Sequence, residues 1–198
     1  SPESAMESDL AQLRDIHTVE EFLGTLRHTC DISLTSDFWT VTLPNDLATS
    51  SPRSPSLFAY HAALVLLDAR VLFSKNRVAD LLDPAIHASR SRVERHHLFP
   101  KGFLARQGIT ATREINQIAN YALVEWGDNV SISDQAPADY LPDLKRRFSP
   151  AELSCLYKWH ALPADWEQLR YWEFLERRRE LMAEVIAEGY AVLADDAT

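Results

Sequence analysis

The sequence predicts an α+β chain, mostly α-helical, with a short pair of strands embedded between helices. Three observations carry that prediction. Thr18-Val19-Glu20-Glu21 and Ser149-Pro150-Ala151-Glu152 are capping boxes, in which a hydroxyl and a carboxylate three residues apart satisfy the backbone donors that a helix start leaves open. From Asp165 to Leu193 the apolar residues Trp166, Leu169, Trp172, Phe174, Leu175, Leu181, Met182, Val185 and Ile186 give a long amphipathic pattern. Between the two boxes, the stretch carrying Glu94, His96 and His97 reads as one strand and Asn120 to Trp126 as its partner. Pro100 fits the end of the first, because it cannot donate to a ladder.

Taken in order, the first capping box opens a helix whose apolar face includes Phe22, Leu23 and Leu26. Phe38 and Trp39 form a short apolar segment, and Ser50-Ser51-Pro52-Arg53-Ser54-Pro55 is a break. Leu57 to Phe73 is apolar nearly all round and predicts a buried helix, with His61 a core or boundary residue. Val78 to Leu82 predicts a short helix ended by Asp83-Pro84, and Ala85 to Arg92 leads into the first strand. Lys101 to Ile109 predicts a turn or short helix closed at Gly108. Gly127-Asp128 is a turn, and a helix reaching Arg147 follows the second strand. Asn116 and Asp128 read as turn or capping residues.

At 198 residues, 46% hydrophobic and 25% charged, the chain suits one soluble domain with a substantial core, or one domain with a helical extension. Its expected parts are a helical part over 1–89, a core over 90–148 and C-terminal helices over 149–198. No apolar run approaches the roughly 20 residues of a membrane span, and no charged-then-apolar leader pattern appears. Cys30 and Cys155 stand far apart, which excludes a disulfide framework and a cysteine-rich zinc knot and makes a reducing cytoplasm the expected compartment.

The chemistry concentrates between Glu94 and Asn129. Hydrolysis of a phosphodiester needs a base for water and a divalent cation to neutralise charge on the phosphoryl and leaving oxygens. Side chains alternate along a strand, so Glu94 and His96 share one face and His97 takes the other or is redirected where the strand ends, which lets adjacent histidines hold different jobs. A neutral imidazole accepts a proton near pH 7. Asparagine offers a neutral oxygen to a hard cation or orients a neighbouring ring.

His96-His97-Leu98-Phe99-Pro100, then Ile118-Ala119-Asn120-Tyr121-Ala122-Leu123, then Asp128-Asn129, resembles the HNH endonuclease superfamily with its ββα-metal core. The resemblance is nearest to GmrSD-type restriction proteins, in which a DUF262 domain precedes a DUF1524-like HNH domain. It implies that His97 is the general base, that Asn120 opens the second strand and orients that base, and that Asn129 is a metal ligand. His96 stands where the family has a metal-binding aspartate. The exchange removes a negative charge, which Glu94 on the same strand face restores. The implied cofactor is Mg2+, with Mn2+ or a later transition metal as alternatives. The implied activity is DNA cleavage in a prokaryotic modification-sensing defence protein. Trp159-His160-Ala161-Leu162-Pro163 and Arg177-Arg178-Arg179 also resemble the tail of DUF262-type proteins. With the family's usual order, the chain is expected to be a C-terminal fragment whose DUF262-like partner domain precedes it. The departure at His96 keeps open a silent HNH-like module that binds nucleic acid or a partner without cutting.

A net charge of -9 opposes a nucleic-acid partner, but its distribution does not. Arg92, Arg95, Lys101 and Arg106 cluster around the histidines and are the expected phosphate contacts, with Lys145-Arg146-Arg147 a further basic cluster. Arg177 to Arg179 lie among Glu173, Glu176, Glu180 and Glu184 and read as ion-paired surface.

Overall fold

The computed structural model describes residues 2–82, 93–125 and 132–196, and separates into two compact units, Ser1–Trp39 and Thr40–Thr198. The segments expected to lead into the first strand, 83–92, and to turn after the second, 126–131, lie outside the described residues.

The first unit holds helices α1 (Pro2–Gln12) and α2 (Val19–Ser33). The first capping box forms as expected: Glu21 N donates to Thr18 Oγ1 at 3.1 Å and Thr18 N to Glu21 Oε2 at 3.2 Å. Phe22, Leu23 and Leu26 lie on α2 but remain exposed.

The second unit contains, in order, α3 (Leu43–Asp46), α4 (Pro55–Leu66), α5 (Val78–Leu82), β1 (Val93–His97), α6 (Lys101–Arg106), α7 (Thr112–Ile115), β2 (Tyr121–Glu125), α8 (Pro137–Lys145), α9 (Pro150–Trp159) and α10 (Tyr171–Asp196). Among the described residues it is mostly helical with one two-stranded sheet, as the sequence predicts. β1 and β2 are antiparallel, pairing Glu94 with Val124, Arg95 with Leu123, His96 with Ala122 and His97 with Tyr121. The second capping box also forms, with Ser149 N donating to Glu152 Oε2 at 2.9 Å. Gly108, at φ 83°, ends the turn after α6 where a side chain would be strained.

The helix expected over Leu57 to Phe73 is shorter. α4 stops at Leu66, Asp68 takes φ 50°, and the chain turns back. The run that follows buries Ala69, Val71 and Leu72, with Leu72 N donating to Leu123 O at 3.1 Å beside β2. An unbroken apolar run does not distinguish a buried helix from a buried extended segment, and here it covers both. The long helix expected from Asp165 instead begins at Tyr171, after a 3-10 turn over Trp166–Gln168.

α10 packs along α4 and α3. A Cβ on Gly189 would come within 2.7 Å of Ala63 Cβ and 2.8 Å of its Cα, so the approach of α10 to α4 requires glycine there. Around the N-terminal half of α10, Phe99 lies 5.8 Å from Trp166, 5.5 Å from Tyr171 and 4.8 Å from Phe174, ring centre to ring centre. The apolar pair after the two histidines therefore anchors β1 in an aromatic core supplied by the C-terminal segment. No helix among the described residues is long and apolar enough to cross a membrane.

Candidate active site

His97 ends β1, half-buried, with its ring 4.3 Å from that of Tyr121, its cross-strand partner. Its Nε2 lies 3.0 Å from Asn116 Oδ1. Burial is the main cause that lowers its pKa, to about 4; Lys101 and the adjacent His96 lower it further, while the bond to Asn116 opposes the shift. The ring is therefore neutral at pH 7, the state in which imidazole accepts a proton.

Asn120 is fully buried at the end of a 3-10 turn over Ile118–Asn120 that feeds β2. Its Oδ1 accepts from Phe99 N at 2.9 Å, and its Nδ2 donates to Phe99 O at 3.1 Å and Ile115 O at 3.0 Å. Phe99 is two residues after His97 and Ile115 is one before Asn116. Asn120 thus ties together the segments that carry the imidazole and its partner, and the carboxamide reaching the ring is that of Asn116. The sequence reading of Asn116 as a capping residue captures its place at the end of α7 but misses this bond. Tyr171 reinforces the same turn from α10, its hydroxyl donating to Glu114 O at 2.8 Å and lying 3.3 Å from Ile115 O.

His96 faces away from His97 and is 4% exposed, with its ring edge-on to Tyr140 at 6.3 Å. The Tyr140 hydroxyl donates to Leu98 O at 2.7 Å, which fixes the turn from the α8 side. Glu94 belongs to β1 and pairs with Val124. Asn129 lies outside the described residues. Among the described residues no three of His, Cys, Asp and Glu gather to hold a metal ion. The imidazole of His96 suits a transition metal better than magnesium.

The expected phosphate contacts divide. Arg92 lies outside the described residues. Arg95 is exposed beside the site, its guanidinium 5.8 Å from the centre of the Tyr121 ring. Lys101 is exposed at the start of α6, close enough for its charge to act on His97. Arg106 is partly engaged, donating from Nη2 to Asp134 O at 2.6 Å, while the Asp134 carboxylate accepts from Gly102 N at 3.1 Å. In the further basic cluster, Lys145 pairs with Glu167 at 2.8 Å and Arg146 with Asp143 at 2.9 Å.

The arginine run on α10 corrects the sequence reading. Arg177 is a surface residue paired with Glu173 at 2.6 Å, but Arg178 is 0% exposed. Arg178 Nη1 donates to Ala119 O at 2.7 Å and Tyr121 O at 2.8 Å, the two carbonyls flanking Asn120. Its Nε and Nη2 donate to His160 O at 3.2 and 3.1 Å. The signal was present in the spacing. Tyr171, Phe174, Leu175, Met182, Val185 and Ile186 are buried at helical intervals, and Arg178 falls on that stripe. Compared with family models, curated proteins and solved structures, the chain matches none.

Proposed function

We propose that the second unit is an HNH-type endonuclease that hydrolyses DNA phosphodiester bonds with His97 as general base. The observation that carries the reading is a half-buried, neutral imidazole, held through one nitrogen by Asn116, with Lys101 and Arg95 beside it. One ring nitrogen is committed to Asn116 and the other is left to accept a proton. It would take that proton from water as the water oxygen bonds to phosphorus and the phosphorus–leaving-oxygen bond breaks, the leaving oxygen being protonated from solvent. A bound phosphodiester brings negative charge that offsets Lys101, which raises the proton affinity of His97 towards the working pH. Arg95 and Lys101 would hold the backbone without reading bases.

The residues that would hold a divalent cation are His96, Glu94 and Asn129. When bound, such a cation supplies charge neutralisation at the phosphoryl and leaving oxygens. Buried His96 in place of a carboxylate favours a second reading, a module that binds nucleic acid without cutting it. Plasmid cleavage by the purified chain with Mg2+, Mn2+ or no metal decides between them. Metal-dependent nicking or linearisation that is lost in His97→Ala supports the nuclease. Salt-sensitive binding without cleavage under any metal supports the silent module.

A further inference from the structure

We propose that Asn116 is the positioning residue for His97, fixing the ring as its Nε2–H tautomer so that Nδ1 is the proton-accepting nitrogen. The catalytic part of this inference rests on the nuclease reading, whereas the tautomer does not. Asn116 Oδ1, 3.0 Å from Nε2, is an acceptor with no proton to give, so the pair forms when Nε2 carries the hydrogen. A neutral imidazole has one N–H, and Nδ1 is then its lone-pair nitrogen.

What sets Asn116 apart from a turn residue that happens to touch a histidine is its support. The preceding carbonyl, Ile115 O, is held by Asn120 Nδ2 at 3.0 Å and lies 3.3 Å from the Tyr171 hydroxyl, which also donates to Glu114 O. Asn120 at the same time grips both backbone groups of Phe99, just beyond His97. One buried side chain therefore fixes the separation of ring and acceptor, and the bond needs little reorganisation at the moment of reaction. The Tyr121 ring, 4.3 Å away, limits rotation of the imidazole.

The test is long-range 1H–15N correlation of the histidine side chains in the 198-residue chain, with the His97 signals identified by their loss in His97→Gln. The wild type is expected to show a protonated Nε2 and an unprotonated Nδ1 at pH 7. Asn116→Leu, similar in size but without an acceptor, should move both nitrogens towards a tautomer mixture, and Asn116→Asp, which keeps the acceptor, should restore the Nε2–H pattern. In the cleavage assay Asn116→Leu should lower kcat by roughly 10- to 100-fold with KM within about twofold, and Asn116→Asp should recover most of the loss. An Nδ1–H pattern in the wild type, or an unchanged pattern in folded Asn116→Leu, overturns the proposal. The expected tautomers in a wild type that cuts no DNA would support the pairing and reject the nuclease.

Discussion

Asn120 directly precedes Tyr121, the cross-strand partner of His97, yet the two polar residues are separable by experiment. If His97 is the proposed base it acts in the transition state, so on that reading His97→Ala should lower cleavage by roughly 10²- to 10⁴-fold while thermal stability and DNA affinity stay near wild type. Full cleavage by that variant would move the base elsewhere. Asn120 makes three buried bonds, and its loss leaves Phe99 N and Phe99 O unmatched. Asn120→Ala should therefore cost about 2–4 kcal/mol in denaturant unfolding. Asn120→Asp should be no better despite its matching shape, because it turns the donor facing Phe99 O and Ile115 O into an acceptor. A near-neutral Asn120→Asp would mean that these bonds do not hold the turn.

Among the elements, β1 and β2 depend on α10 through a buried cation bonded to backbone carbonyls. Arg178 directs its donors to the carbonyls of Ala119, Tyr121 and His160, whose dipoles replace water around the charge. Arg178→Met should cost about 3–5 kcal/mol by stranding those carbonyls, whereas Arg177→Glu on the surface should change stability by less than about 1 kcal/mol. Equal effects of the two would refute the buried placement. His160 brings a pH signature. Burial above all, with the charge of Arg178 beside it, lowers its pKa to about 4, against the bond from its Nε2 to Arg70 O. The unfolded chain binds that proton below about 6.5 and the folded chain only below about 4, so this contribution is complete above pH 6.5 and lost as pH falls towards 4, on the order of 3 kcal/mol. His160→Gln should flatten that part of the stability–pH curve, and an unaltered slope would remove His160 as its source. These dependences explain how much the sequence disclosed. Both capping boxes, α5, α6 and both strands were legible because local hydrogen bonding and alternation specify them. The end of α4 was not, since the reversal at Asp68 answers to Leu72 pairing beside β2, a contact between residues distant in sequence. Nor was Arg178, which local charge counting assigned to the surface although its place on the apolar stripe argued otherwise.

For the molecule as a whole, an acidic chain that holds DNA must do so through a local track. Arg95→Glu with Lys101→Glu should weaken binding by a similar factor at every sequence tested, and the salt slope should drop by about 0.9 for each phosphate that is no longer neutralised. Arg146→Glu with Arg177→Glu, both ion-paired surface residues, is the charge-matched control, since Arg178 is unsuitable for reversal. Equal weakening by the two pairs, or salt-independent binding, would exclude the track. The gripping of Phe99 by Trp166, Tyr171 and Phe174, together with the reach of Arg178 to the sheet, has a consequence for transplantation. A chimera that carries only 90–148 into a foreign scaffold takes the histidines but leaves behind the wall that aligns them. One that carries 40–198 takes both, so β1 and β2 keep their alignment only where the tail is inherited with them.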